Sequence, residues 1–108
     1  MVFLCEHETQ GLAYQEALAA DVPVLVWDEH KLIDPFLAPF AEPTLAVRTA
    51  PYFDERCGRT FTLDAFDAEF DAFWRDRETY QPRAYVADHL SLERAAANYA
   101  ELYNRLRK

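Results

Sequence analysis

The chain reads as an α/β domain with a short parallel sheet and helices gathered toward its C-terminus. Three observations say so. Two continuous apolar runs, residues 2–5 and 22–27, suit strands covered on both faces. Between them, residues 12–21 are rich in Ala and Leu and hold no breaker, which is helix composition. In the last third, apolar residues recur at helical spacing as far as Leu106.

The elements follow in order. The first run, Val2-Phe3-Leu4-Cys5, breaks at the polar loop Glu6-His7-Glu8-Thr9-Gln10-Gly11. A helix over 12–21 then leads to Val22-Pro23-Val24-Leu25-Val26-Trp27, with Pro where a strand tolerates it. Strand, loop, helix and strand make a βαβ unit, expected to cross over right-handed. Residues 28–43 are irregular, punctuated by Pro35, Pro39 and Pro43. Residues 44–48 alternate and predict an edge strand; residues 51–58 predict a turn-rich connection. Thr62 is placed as an N-cap, with Phe61 and Phe66 at the staple positions around it. Phe66, Phe70, Phe73 and Trp74 form one aromatic helix face, and Asp64, Asp67, Glu69 and Asp71 crowd the end that the helix dipole favours. Gln81-Pro82 marks a break before a short helix at 83–89. Ser91 can cap the last helix, whose stripe is Leu92, Ala95, Ala96, Tyr99, Leu102, Tyr103 and Leu106.

Composition narrows the function. A chain of 108 residues, 51% hydrophobic and 28% charged, is one small globular domain. Its net charge of −8 argues against a general binder of nucleic acid or anionic membrane, which need a basic surface. Two glycines, Gly11 and Gly58, cannot write a Walker or dinucleotide loop. Two distant cysteines, Cys5 and Cys57, fit a reduced, cytoplasmic setting better than a disulfide framework. No apolar run approaches the roughly 18 residues of a membrane helix, and the start lacks the basic region of a signal peptide. Two or three parallel strands are few for an independent α/β sheet, so residues 1–108 are expected to be the carboxyl portion of a larger domain.

The stretch from Glu8 to Val24 carries the chemistry. Glu8 lies in the loop beyond a strand's carboxyl end, and Gly11 stands where the chain turns into the helix. The first amides there have no partner within the helix and can meet an anion. Glu16 lies one turn below Leu12 on the same face. Two carboxylates thus flank a helix N-terminus at the sheet edge where open α/β sheets bind ligands. Hydroxyls could bond the glutamates while phosphate oxygens meet the amides. On spacing alone, a solvated loop acid and a solvated helix acid are the better reading of Glu8 and Glu16, since two Glu eight apart are common in any acidic protein.

The same residues carry a resemblance. Glu8, Gly11, Leu12, Glu16, Ala17, Ala19, Pro23 and Val24 match the E-x7-E motif of retaining glycosyltransferases of the GT-B fold, in particular the group-1 or family 4 class. The tail from Leu90-Ser91-Leu92-Glu93-Arg94 through Tyr99, Leu102 and Tyr103 is similar to that family's closing helix. Cys57-Gly58-Arg59-Thr60-Phe61 sits where the family has a Gly-containing turn. The resemblance implies a partial Rossmann-like, GT-B C-terminal domain that binds a nucleotide sugar. The reaction implied is transfer of a hexose to a hydroxyl acceptor with retention. Glu8 would bind hydroxyls of the donor sugar and act as the catalytic residue. Thr9, Gln10, Gly11 and Leu12 would face the sugar and diphosphate. Glu16 would hold the ribose hydroxyls. No metal or other cofactor is implied. The basic pair for the diphosphate and the acceptor domain would come from upstream, as would any peripheral membrane association. This portion alone is then expected to be inactive.

Three positions depart from the family pattern. Gln10 replaces the usual Phe, Asp21 the usual Gly, and Asp28-Glu29-His30-Lys31 a Gly-Gly-x-x-Glu turn. Asp21 can hold a left-handed cap position at some cost. His7 and His30, each beside carboxylates, read as solvated histidines rather than metal ligands. Cys57 reads as a small buried residue rather than a nucleophile. Tyr52, Phe53 and Tyr80 are the loop aromatics of interest. Two other functions fit these residues: a GT-B nucleotide-sugar epimerase, using the same sheet edge with other acids, or a non-catalytic acidic interaction module.

Overall fold

A computed structural model of the chain describes residues 1–7, 10–42 and 45–107. Its centre is a three-stranded parallel sheet in the order β1-β2-β3: β1 Val2–Phe3, β2 Val24–Trp27 and β3 Gly58–Phe61. Val2 pairs with Leu25 and Phe3 with Val26; on the other side, Val24 pairs with Gly58 and Trp27 with Phe61. Four helices accompany the sheet: α1 Leu12–Ala19, α2 Phe66–Asp76, α3 Pro82–His89 and α4 Leu92–Leu106. The chain is therefore α/β with a short parallel sheet, and this arrangement is compatible with part of a Rossmann-like fold.

The alternation of β2 divides the core. Val24 and Val26 face Tyr14 and Leu18 of α1, Tyr85 of α3, and Ala50 and Cys57. Leu25 faces Phe61 and Phe73, with Trp27, Phe66, Phe70 and Tyr80 packed around them. Successive strand residues point to opposite faces, so helices cover both sides of the sheet. Val24, Leu25 and Val26 are completely buried, which explains the unbroken apolar run.

The ends of α1 are built by special backbone. Gly11 precedes it in the left-handed region, at φ 73° and ψ 54°. At the other end Asp21 adopts φ 64°. There the Val22 amide donates to the Ala17 carbonyl (2.9 Å) and the Asp21 amide to Leu18 (3.0 Å), a Schellman motif. Asp21 thus occupies the position that glycine usually takes. Its carboxylate gains something glycine would not: Oδ1 accepts the Arg83 amide at 3.1 Å in the first turn of α3. One residue ends one helix and caps another.

Several expectations change. Residues 45–48 form no strand; the Leu45 amide donates to Glu42 C=O (2.9 Å) and not to a strand partner. Thr44 lies outside the described residues. The third strand is 58–61, within what reads in sequence as a turn-rich connection and a Gly-containing turn. It has no apolar run to announce it, because its other edge is unpaired and Arg59 is held at the surface by Glu69 of α2 (2.7 Å). β1 spans only Val2–Phe3, and Val2 and Leu4 are exposed because β1 is the sheet's other edge. Thr62 does not cap α2. Its hydroxyl bonds Asp64 Oδ1 (2.5 Å), a 3₁₀ turn follows at Leu63–Ala65, and α2 begins at Phe66. The Phe61–Phe66 contact is present, with ring centroids 5.0 Å apart. Of the aromatic face, Trp74 stands at the surface and stacks on Phe70 under the Arg77 guanidinium. Ser91 caps α4 as expected, its Oγ accepting the Arg94 amide at 3.2 Å.

Arg56 fastens the approach to β3. It donates to Asp54 (2.8 Å) and, across the chain, to Asp88 of α3 (2.7 Å). Burial alone would raise the Asp54 carboxyl, but hydrogen bonds from the Arg56 side chain and amide outweigh it and hold the pKa below the usual carboxylate value. A depressed carboxyl stabilises the fold above its unfolded pKa of about 4, and the contribution is lost as pH falls through the folded value. Arg56→Met is expected to lower stability at neutral pH and to flatten its acid dependence. Urea midpoints between pH 7 and pH 3 check this; an unchanged acid slope would contradict it.

Candidate site at the carboxyl edge of the sheet

The site sequence analysis points to is the N-terminal end of α1. Glu8 and Thr9 lie outside the described residues. Gly11 is buried, Leu12 is exposed, and Glu16 is exposed in the second turn. The first bond of the helix ladder runs from the Gln15 amide to Gly11 C=O at 3.1 Å. The Leu12 and Ala13 amides lie ahead of that bond, outside the helix's own ladder. The Gln15 side chain donates to the Gln10 carbonyl, closing the loop onto the helix. Gln10, Gly11, Leu12 and Glu16 therefore belong to one turn-and-helix unit at one end of the sheet.

Tyr14 fixes that unit in place. It is completely buried, its ring lies 5.3 Å from Phe3, and its hydroxyl accepts the Tyr52 amide at 3.1 Å. Helical spacing places Tyr14 inward and Glu16 outward, so the burial of one sets the exposure of the other.

Residues beyond the motif brace the same edge. Asp28, 2% exposed, follows the last residue of β2. Its Oδ1 accepts the His30 amide (2.8 Å), and its carboxylate pairs with His30 Nδ1 and Arg48 Nε, each at 3.5 Å. A carboxyl group this deeply buried needs polar partners, and the His30 amide and the Arg48 guanidinium supply them. His30 adopts φ 56° in doing so. Glu29 Oε1 accepts both the Trp27 indole N–H and the Leu63 amide, each at 2.8 Å. Those two bonds, the indole's first, hold the Glu29 carboxyl below its ordinary pKa. The segment Asp28-Glu29-His30-Lys31, which replaces the glycine turn, is thus a pinned loop. An open cavity of about 590 Å³ lies beside it, lined by Trp27, Glu29, Lys31, Ile33, Thr62 and Leu63 among others.

His7 corrects an expectation. It is not a solvated histidine: it is largely covered, its Nε2 accepts the Ile33 amide (3.3 Å), and its Nδ1 is buried without a partner among the described residues. The Thr49 hydroxyl donates to Glu6 C=O (3.3 Å) nearby, so the loop after β1 is tied to two later segments. Neither tie could be read from spacing, because the partners lie 26 and 43 residues away. Arg48 was missed for the same reason. Of the loop aromatics, Phe53 packs against the core and Tyr80 stacks on Phe73 (5.6 Å); Tyr52 is exposed.

Among the described residues no group of three or more His, Cys, Asp or Glu side chains could hold a metal ion. Among them, too, no helix is long and apolar enough to cross a membrane. Cys57 is completely buried, and burial pushes its thiol up to about 11, which suits a core residue and not a nucleophile. In the folded chain at neutral pH, a thiol reagent should modify Cys5, which is partly exposed, and spare Cys57 until urea unfolds the sheet. Rapid modification of both thiols would contradict the packing described.

No family model matches this chain, and neither a curated protein nor a solved structure matches it.

Proposed function

We propose that this chain is the donor-binding portion of a retaining glycosyltransferase of the GT-B class. The observation that carries the reading is one coincidence. Of the residues matching the E-x7-E motif, Gly11 is a left-handed glycine, Leu12 opens a helix and Glu16 is an exposed acid on it, at the carboxyl edge of a parallel sheet; Glu8 lies outside the described residues. That is where a nucleoside diphosphate sugar would find amides for its phosphates and a carboxylate for its ribose.

On this reading the amides around Gly11 and Leu12 meet the diphosphate, and Glu16 accepts from the ribose hydroxyls. Glu8 reaches the transferred sugar from the loop ahead of the helix. The helix N-terminus lies where negative charge grows as the nucleoside diphosphate departs, so it stabilises the leaving group more than the bound donor. Acceptor binding and the second half of the site fall to an upstream domain. The remaining two readings, an epimerase of the same fold class and an acidic interaction module, separate on ligands. An epimerase would bind the same nucleotides, and an interaction module would bind none.

The direct test is ligand-observed NMR with UDP, GDP and their glucose and mannose derivatives. At least one nucleoside diphosphate should show saturation transfer from the chain, and it should compete with its own sugar derivative. Silence from every nucleotide with a folded chain would remove the reading.

A further inference from the structure

The longest helix of the chain is its least covered. α4, Leu92–Leu106, packs chiefly on α3, and none of its residues is buried. Leu92, Tyr99, Leu102, Tyr103 and Leu106 are each 51–82% exposed. With Ala95 and Ala96 they occupy one stripe at i, i+3, i+4, i+7, i+10, i+11 and i+14. A contiguous apolar stripe of this length on a polar helix marks an interaction surface.

The order of residues along the stripe points to an occupant. After Leu92 at its start, the stripe carries the small residues Ala95 and Ala96 in its first half, Tyr99 at its middle, and the large residues Leu102, Tyr103 and Leu106 in its second. Charge follows the same polarity. Glu93 stands in the first turn and Arg107 just past the last. At 100° per residue these two lie on the same flank of the stripe, about 40° apart. A partner helix that complements this face must run the other way, with bulk and positive charge opposite Ala95, Ala96 and Glu93. α4 of a second copy has that pattern.

We infer that α4 pairs antiparallel with α4 of a second copy, about a two-fold axis beside residue 100. This places Ala95 opposite the partner's Leu106 position, Ala96 opposite Tyr103 and Tyr99 opposite Leu102. Residues on one flank of the first helix meet the same flank of the second, so Glu93 of each copy meets Arg107 of the other. The contact is isologous and closes on itself. The helix dipoles oppose, which favours the pairing. A 15-residue helix is about 22 Å long, so one helix pair makes an interface at the small end of the specific range. Association is therefore reversible and concentration-dependent. The inference is independent of the glycosyltransferase proposal, since it uses no residue of that site.

Sedimentation equilibrium of the chain across the micromolar range tests it. The wild type should fit a monomer–dimer equilibrium. Leu102→Glu should be monomeric throughout. Because Leu102 is not part of the core, its far-UV spectrum and urea midpoint should match the wild type. Glu93→Arg and Arg107→Glu should each raise the dimer Kd about tenfold or more, and the double swap should bring it back near wild type. A parallel pair would leave Glu93 of each copy at the far end from Arg107 of the other, so the single swaps would not weaken it through this contact and the double swap would restore nothing. A chain monomeric at every concentration overturns the inference and leaves the stripe to another segment or protein. A dimer indifferent to Leu102→Glu, or one that the double swap fails to restore, overturns it too.

Discussion

Gly58→Ala should cost at least about 2 kcal/mol of stability, and the resulting chain should populate unfolded or loosened states at room temperature. Gly58 opens β3 at φ +143°, a conformation that side-chain-bearing residues rarely adopt. A Cβ there would run into the Val24 carbonyl of the paired strand. Both faults act at once, and no flexible side chain can give way. Relief would require β3 to move off β2, exposing Leu25 and Phe61. Urea unfolding of Gly58→Ala against wild type measures the loss. Gly58→Ala with a wild-type midpoint would mean that β3 is not seated where described.

That strand also shows what the sequence conceals. β2 was legible because Val24, Leu25 and Val26 are buried on both faces, and only an apolar run serves there. α1 was legible from its composition, and α4 from its period and its Ser91 cap. β3 was not. It is an edge strand with Arg59 pointing to Glu69, so burial left no mark on two of its four residues. Its glycine, read as a turn, serves close approach between strands. The site divides in the same way. Gly11 and Glu16 could be picked from local spacing because they belong to one helix and its cap. Asp28, Arg48 and His7 act through partners distant in sequence, and no local period encodes such pairs.

The second large effect concerns Glu16. Glu16→Ala should weaken nucleoside diphosphate binding by about 1.5–3 kcal/mol, a factor of roughly ten to a hundred, because the ribose hydroxyls lose a charged acceptor. Stability should be unchanged, since Glu16 is exposed and its side chain packs against nothing in the core. Glu8→Gln is the internal control. If Glu8 contacts the transferred sugar, its substitution leaves affinity for the free nucleoside diphosphate near wild type. Calorimetry on the two variants separates the roles. Equal weakening by both would reverse the assigned orientation of the donor.

The central claim is one of place: a nucleoside diphosphate binds at the left-handed glycine that opens α1. Amide NMR of the ¹⁵N-labelled chain, titrated with the nucleoside diphosphate that gives the strongest saturation transfer, tests that place residue by residue. The account predicts that the largest saturable shifts fall on Gly11, Leu12 and Ala13, with smaller ones along α1 to Glu16. Saturable shifts confined to the loop at Trp27–Lys31 or to β3, with the amides of α1 unmoved, would contradict it.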